Sequence, residues 1–81
     1  MGTRAKIPDS LKPLLRSELE KAIYEAALDS QDSLIARRYL IEKIPQIDIA
    51  AELGYERSTI SRRLTRIVKS VEHAATRLGF T

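Results

Sequence analysis

"PQIDIAAELGYERSTISRRL", residues 45–64, decides how the chain is read. Pro45 suits the first position of a helix, where its fixed φ is already helical and its missing N–H costs nothing. Gly54 can adopt the left-handed conformation that ends this helix and turns the chain sharply. A second helix then opens near Arg57, with Glu56 at its N-cap or just before it and Ser58 as an alternative start. Two helices joined by a three-residue turn form a helix-turn-helix. Its close crossing needs a small residue on the first helix, which Ala50 supplies. Its second helix must anchor an apolar side chain in the angle, and Ile60 stands six residues after the glycine, with Ile49, Leu53 and Leu64 completing the wedge. Arg57, Ser58, Thr59, Ser61, Arg62 and Arg63 are left to face outward.

Working outward, the rest of the chain also reads as helix, with no alternating strand pattern of useful length. Residues 1–9 are expected to form a flexible N-terminal arm. Leu11, Leu15, Leu19, Ala22, Ile23 and Ala26 recur at helical spacing and place helix one at about 10–28, capped by Asp9 or Ser10, with Pro13 tolerated in its first turn. "DSQDS" breaks the run, and Asp29 or Ser30 can cap helix two, about 31–42. Pro45 ends that helix by pushing Lys43 and Ile44 toward extended geometry. Helix three runs about 45–53 and helix four from about 57 to 78, where Gly79 stops it. The expectation is an all-α domain over 10–81 with about four helices, a helix-turn-helix within 45–70 and a long C-terminal helix.

Composition limits the function. Eighty-one residues with 43% hydrophobic content suit one small core. There is no cysteine, hence no disulfide framework or thiolate metal site. No apolar run is long enough to span a membrane, and "MGTRAK" lacks a signal-peptide core, so a cytoplasmic, nucleoid-associated protein is expected. The net charge of +3 is unevenly placed. Residues 1–54 carry eight Lys/Arg against nine Asp/Glu, while residues 55–81 carry six against two, which points to a polyanionic partner.

The stretch "DSLIARRYLIEKIPQIDIAAELGYERSTISRRLTRIVKSV" resembles the fourth region of bacterial sigma factors and the small bacterial and phage regulators that share it. The resemblance covers about residues 30–71 and rests on Leu34, Arg38 and Tyr39, on Ile49, Ala50, Leu53 and Gly54, and on Ser58, Thr59, Ile60, Ser61, Arg62 and Leu64. It implies a reader of double-stranded DNA whose second helix, residues 57–66, enters the major groove. On that likeness Arg57, Ser58, Ser61 and Arg62 would meet base edges. Thr59, Arg63, Arg66 and Lys69 would sit on phosphates, and Gln46 on a phosphate at the start of helix three. A sigma factor also needs a promoter-melting, polymerase-binding region for which 81 residues leave no room, and "LKPLLRSELEKAIYEAAL" is not diagnostic of the family. The resemblance therefore implies a stand-alone transcriptional regulator.

The same residues support other readings. Ile60, Leu64, Ile67, Val71, Ala74 and Leu78 step by four and three, a seam that either packs on helix one within the monomer or builds a homodimer through helix one and the C-terminal helix. Arg38 reads as an ordinary surface charge pairing with Glu42 or Asp32, Arg37 stays open, and Tyr39 reads as core. Tyr55 either packs under the fourth helix or offers its hydroxyl to a phosphate. Asp48 and Glu52 share a helix face that could contact RNA polymerase. No nucleophile, phosphate loop or metal-ligand cluster accompanies them or the single His73, so neither an enzyme nor a cofactor or metal is expected. The rival function is a helical adaptor or anti-activator that does not itself bind DNA.

Overall fold

The computed structural model describes residues 6–81 and has four α-helices: α1 (Arg16–Glu25), α2 (Ser30–Ala36), α3 (Gln46–Leu53) and α4 (Arg57–Arg77). No strand occurs among the described residues. The chain is therefore all-α, as its periodicity predicts.

α4 is the element around which the others assemble. It packs against α1, α2 and α3. Ile60, Leu64, Ile67, Val68, Val71, Ala74 and Ala75 are buried along it. They meet Leu19, Ala22 and Ile23 of α1, Ile35 and Ala36 of α2, Leu40 just beyond α2, and Ile49 and Ala50 of α3 in one core. The four-three seam is thus filled within a single chain, apart from Leu78, which is 38% exposed.

Helix one is shorter than expected. Residues 9–13 form turns, with the amide of Leu11 donating to the Pro8 carbonyl and that of Leu14 to Leu11. Pro13 can donate no backbone hydrogen bond and biases Lys12 away from helical geometry, so the helix opens only after Leu15. No side chain caps it as Asp9 or Ser10 was expected to do at an earlier start; instead the Glu18 carboxylate, in the first turn, accepts from the Leu15 amide at 2.8 Å. Ser10 instead donates to Glu72 at 2.6 Å, and Asp9 pairs with Lys12. Of the expected arm, residues 1–5 lie outside the described residues. Ile7 is partly buried against the core and Leu11 is buried fully, so the structured domain begins before residue 10.

α2 is capped by Asp29, whose carboxylate accepts from the Asp32 amide at 2.8 Å. Its path continues as a π-helical turn over Arg37–Ile41. Lys43, expected to be extended ahead of Pro45, is left-handed instead at φ 60°, and its ammonium donates to the Leu40 carbonyl at 2.8 Å. Pro45 is the N-cap of α3 rather than its first residue. Gly54 ends α3 at φ 76°, and Gly79 follows α4 at φ 80°. Three residues, Gly54, Tyr55 and Glu56, connect α3 to α4.

Ala27 closes α1 at φ 55°, a left-handed conformation in which its Cβ crowds the following carbonyl. The side chain is exposed and contributes nothing to the core. Ala27→Gly should therefore stabilise the fold by about 0.5–1 kcal/mol after the added chain entropy is subtracted. A thermal melt should show a midpoint a few degrees higher, and a lower midpoint would show that Ala27 is not strained.

Candidate nucleic-acid interface

The burial pattern of α4 sorts the cations that the sequence singles out. Successive residues of an α-helix are rotated by about 100°. Ser58, Arg62, Thr65, Arg66, Lys69 and His73 fall on the side opposite the buried seam, and all six are exposed. Arg57, the first residue of the helix, is exposed too. Thr59 is half-buried at the edge of this face.

Ser61 is a correction. It was expected on the reading face but is 8% exposed and lies beside Ile60 on the core side. The helix rotation that anchors Ile60 carries its neighbour inward, so Ser61 cannot reach a ligand on the outer face. Gln46 is half-buried, and its amide donates to the Tyr39 hydroxyl at 3.3 Å. That contact turns it toward the π-helical turn that follows α2 rather than leaving it free for a phosphate.

Arg63 departs furthest from expectation. One guanidinium nitrogen donates to the Gln31 side-chain oxygen at 2.7 Å and another lies 3.2 Å from the Asp32 carboxylate. The guanidinium carbon stands 5.5 Å from the centre of the Tyr55 ring. Tyr55 in turn donates its hydroxyl to Gln31 at 2.9 Å. Only 22% of the Arg63 side chain is exposed, so its charge is spent inside the molecule. The Asp32 oxygen nearest it is buried and makes no aligned hydrogen bond, so the guanidinium charge itself is its compensation.

Four other arginines, Arg16, Arg37, Arg38 and Arg77, are paired as well. Arg16 and Arg37 both approach Glu20, at 3.3 and 3.5 Å. Arg77 lies 3.8 Å from Glu25. Arg38 bridges Glu42 at 2.7 Å and Glu52 at 3.2 Å, the surface-charge role expected of it. Hydrogen bonds to Glu52 and then Glu42, helped by their charges, raise its pKa above the ordinary arginine value. This pairing removes Glu52 from the expected acidic face and leaves Asp48 alone there.

Arg57, Arg62, Arg66 and Lys69 differ from all of these. Among the described residues none has a carboxylate within ion-pair distance. The one acid within α4, Glu72, accepts from Ser10 at the margin of the helix. Like charges four and three residues apart, as at Arg62, Arg66 and Lys69, each cost a helix about 0.2–0.5 kcal/mol. Arg57 also stands in the first turn, where the helix dipole disfavours positive charge. The face therefore costs stability in the isolated protein, and a polyanion would offset that cost.

The four-three spacing of Arg62, Arg66, Lys69 and His73 was present in the sequence, and a helical projection alone would have added Thr65 and His73 to the candidate face. The partners of Arg63 carried no such signal, because Gln31 and Asp32 are about thirty residues away. Among the described residues no group of His, Asp and Glu is placed to hold a metal, and no helix is long and apolar enough to cross a membrane. Comparison with protein-family models, curated proteins and solved structures returned no match.

If the four cations do not support the fold, replacing them should not harm it. The triple variant Arg62→Gln/Arg66→Gln/Lys69→Gln should melt at the wild-type temperature or slightly above it at low salt, with the difference fading as salt is added. A loss of more than about 1 kcal/mol would show that these side chains have structural partners.

Proposed function

We propose that the chain binds double-stranded DNA as a transcriptional regulator, laying the first three turns of α4 along a major groove. The supporting observation is the unpaired, acid-free cationic face of α4, whereas the other arginines among the described residues, Arg16, Arg37, Arg38, Arg63 and Arg77, are paired. From Arg57 to Lys69 this face extends about 18 Å at 1.5 Å per residue. Such a length suits a helix that meets base edges at its start and a flanking backbone further on.

In this reading Arg57, Ser58 and Arg62 contact bases, because they stand on the exposed side of the opening turns. An arginine fork on guanine O6 and N7 contributes about 1–3 kcal/mol of discrimination. Arg66 and Lys69 neutralise phosphates, with Thr59 beside them at the edge. Arg63, Ser61 and Gln46 leave the contact set for the reasons given above. The α3–turn–α4 unit serves as the helix-turn-helix, and the likeness to the fourth region of sigma factors is part of the same proposal. A homodimer through helix one and the C-terminal helix would use exposed apolar side chains such as Tyr24 and Leu78, since the seam is already filled.

The test is binding to genomic DNA fragments by gel shift at two salt concentrations, with wild type beside Arg62→Ala. Wild type should select particular fragments, and its affinity should fall by about 0.9 log units per log unit of salt for each phosphate neutralised. Arg62→Ala should lose about 1–3 kcal/mol on the selected fragments and much less on bulk DNA. Absence of binding even at low salt would overturn the proposal and leave α4 as the surface of a protein-binding adaptor.

A further inference from the structure

We infer that Arg63 and Asp32 together act as positioning residues for the DNA-reading face of α4, with Arg63 contacting no DNA. The inference rests on the proposed function and deepens it. Three separate elements meet at this cluster. Gln31 and Asp32 belong to the first turn of α2, Tyr55 to the three-residue connection, and Arg63 to the second turn of α4.

The geometry sets the aim of α4. Arg63 adjoins Arg62 in sequence and points away from the exposed face, toward the Asp32 carboxylate. Its fork reaches two neighbouring side chains of α2 at once, which restrains rotation of α4 about its own axis as well as its distance from α2. Tyr55 closes the arrangement from the other side: its ring lies against the guanidinium and its hydroxyl shares the Gln31 oxygen with Arg63. The turn leading into α4 and the start of α4 are therefore fastened to the same point. A base-reading side chain must be held within about 0.5 Å and 10–20° of its working geometry, so loosening this point should degrade selection before it degrades general attraction to DNA.

Asp32 makes the inference testable, because two roles for Arg63 predict opposite signs. If Arg63 bound a phosphate, Asp32 would compete with DNA for it, and Asp32→Ala would tighten binding. If Arg63 positions α4, Asp32→Ala should weaken binding to selected fragments.

The experiment compares wild type, Asp32→Ala, Arg63→Ala, the double variant and the milder Gln31→Ala on one selected fragment and on bulk DNA. It is run over a salt series well below each melting temperature. Asp32→Ala and Arg63→Ala should each lower affinity for the selected fragment on the order of tenfold, at the lower end of what one mismatched base pair costs. The double variant should lose no more than either single change, since one contact is removed in all three. The salt dependence should stay at the wild-type slope in every variant. Gln31→Ala should show a smaller loss of the same kind, and it serves if the charge variants fold poorly. Amide hydrogen exchange in Asp32→Ala should rise over residues 57–63 while the C-terminal half of α4 stays protected.

Tighter binding by Asp32→Ala, or a slope reduced by about 0.9 in Arg63→Ala, would overturn the inference and make Arg63 a phosphate ligand. Those results leave DNA binding itself intact. Failure of wild type to bind any DNA would instead sink the functional proposal and this inference with it.

Discussion

The structure depends on one stripe of apolar side chains on α4. Seven buried apolar positions from Ile60 to Ala75 share one core with side chains from all three other helices. Small all-helical domains have little apolar area to bury, so placing one long helix at the centre lets shorter helices bury their faces without packing much against one another. The consequence for function is geometric. Once the seam is inward, the opposite side of α4 has to be solvent-facing along its length, and whatever stands there is displayed on a rigid support.

The electrostatics follow from the same constraint. Arginines at the margins of the helical layers lie near acids of neighbouring elements and pair with them, as Arg38 does with Glu52 of α3 and Arg77 with Glu25 of α1. Among the described residues the outer side of α4 has no neighbouring element, so its cations stay unpaired there. Most surface ion pairs contribute little to stability, and the unpaired set forfeits little by lacking them. What the set provides is a concentrated positive potential, the property that the proposed DNA partner would use.

The margin between these two regions is occupied by Arg63. It is one residue from Arg62 in sequence, yet it is fastened to Gln31, Asp32 and Tyr55 while Arg62 has no ion-pair partner among the described residues. About 100° of helix rotation separates the two side chains and changes their chemistry. The same rotation explains Ser61, which follows Ile60 inward. Local composition, "SRR", treats these positions as equivalent, and the helix axis does not.

Much of the fold was legible in advance. Gly54 and Gly79 announce their left-handed stops, Asp29 its cap, and the four-three apolar spacing the buried side of α4, because these depend on backbone geometry and period within a few residues. The prolines were less legible: Pro13 lies in the turns ahead of α1, Pro45 is the N-cap of α3, and Lys43 is left-handed. The sequence does not show that Glu18 will accept from the Leu15 amide or that Ser10 will turn to Glu72, 62 residues away. For the candidate interface, the sequence by itself determined the cationic content of α4 and the exposed position of Arg57, Arg62, Arg66 and Lys69. Only the tertiary structure decided that, among the described residues, Arg63 is paired while Arg57, Arg62 and Arg66 are not, that Gln46 turns to Tyr39, and that the seam is filled within one chain. Those outcomes depend on which side chains of distant segments are brought within a few ångströms. Ion pairs and hydrogen bonds act over that range, and a linear pattern carries no record of it.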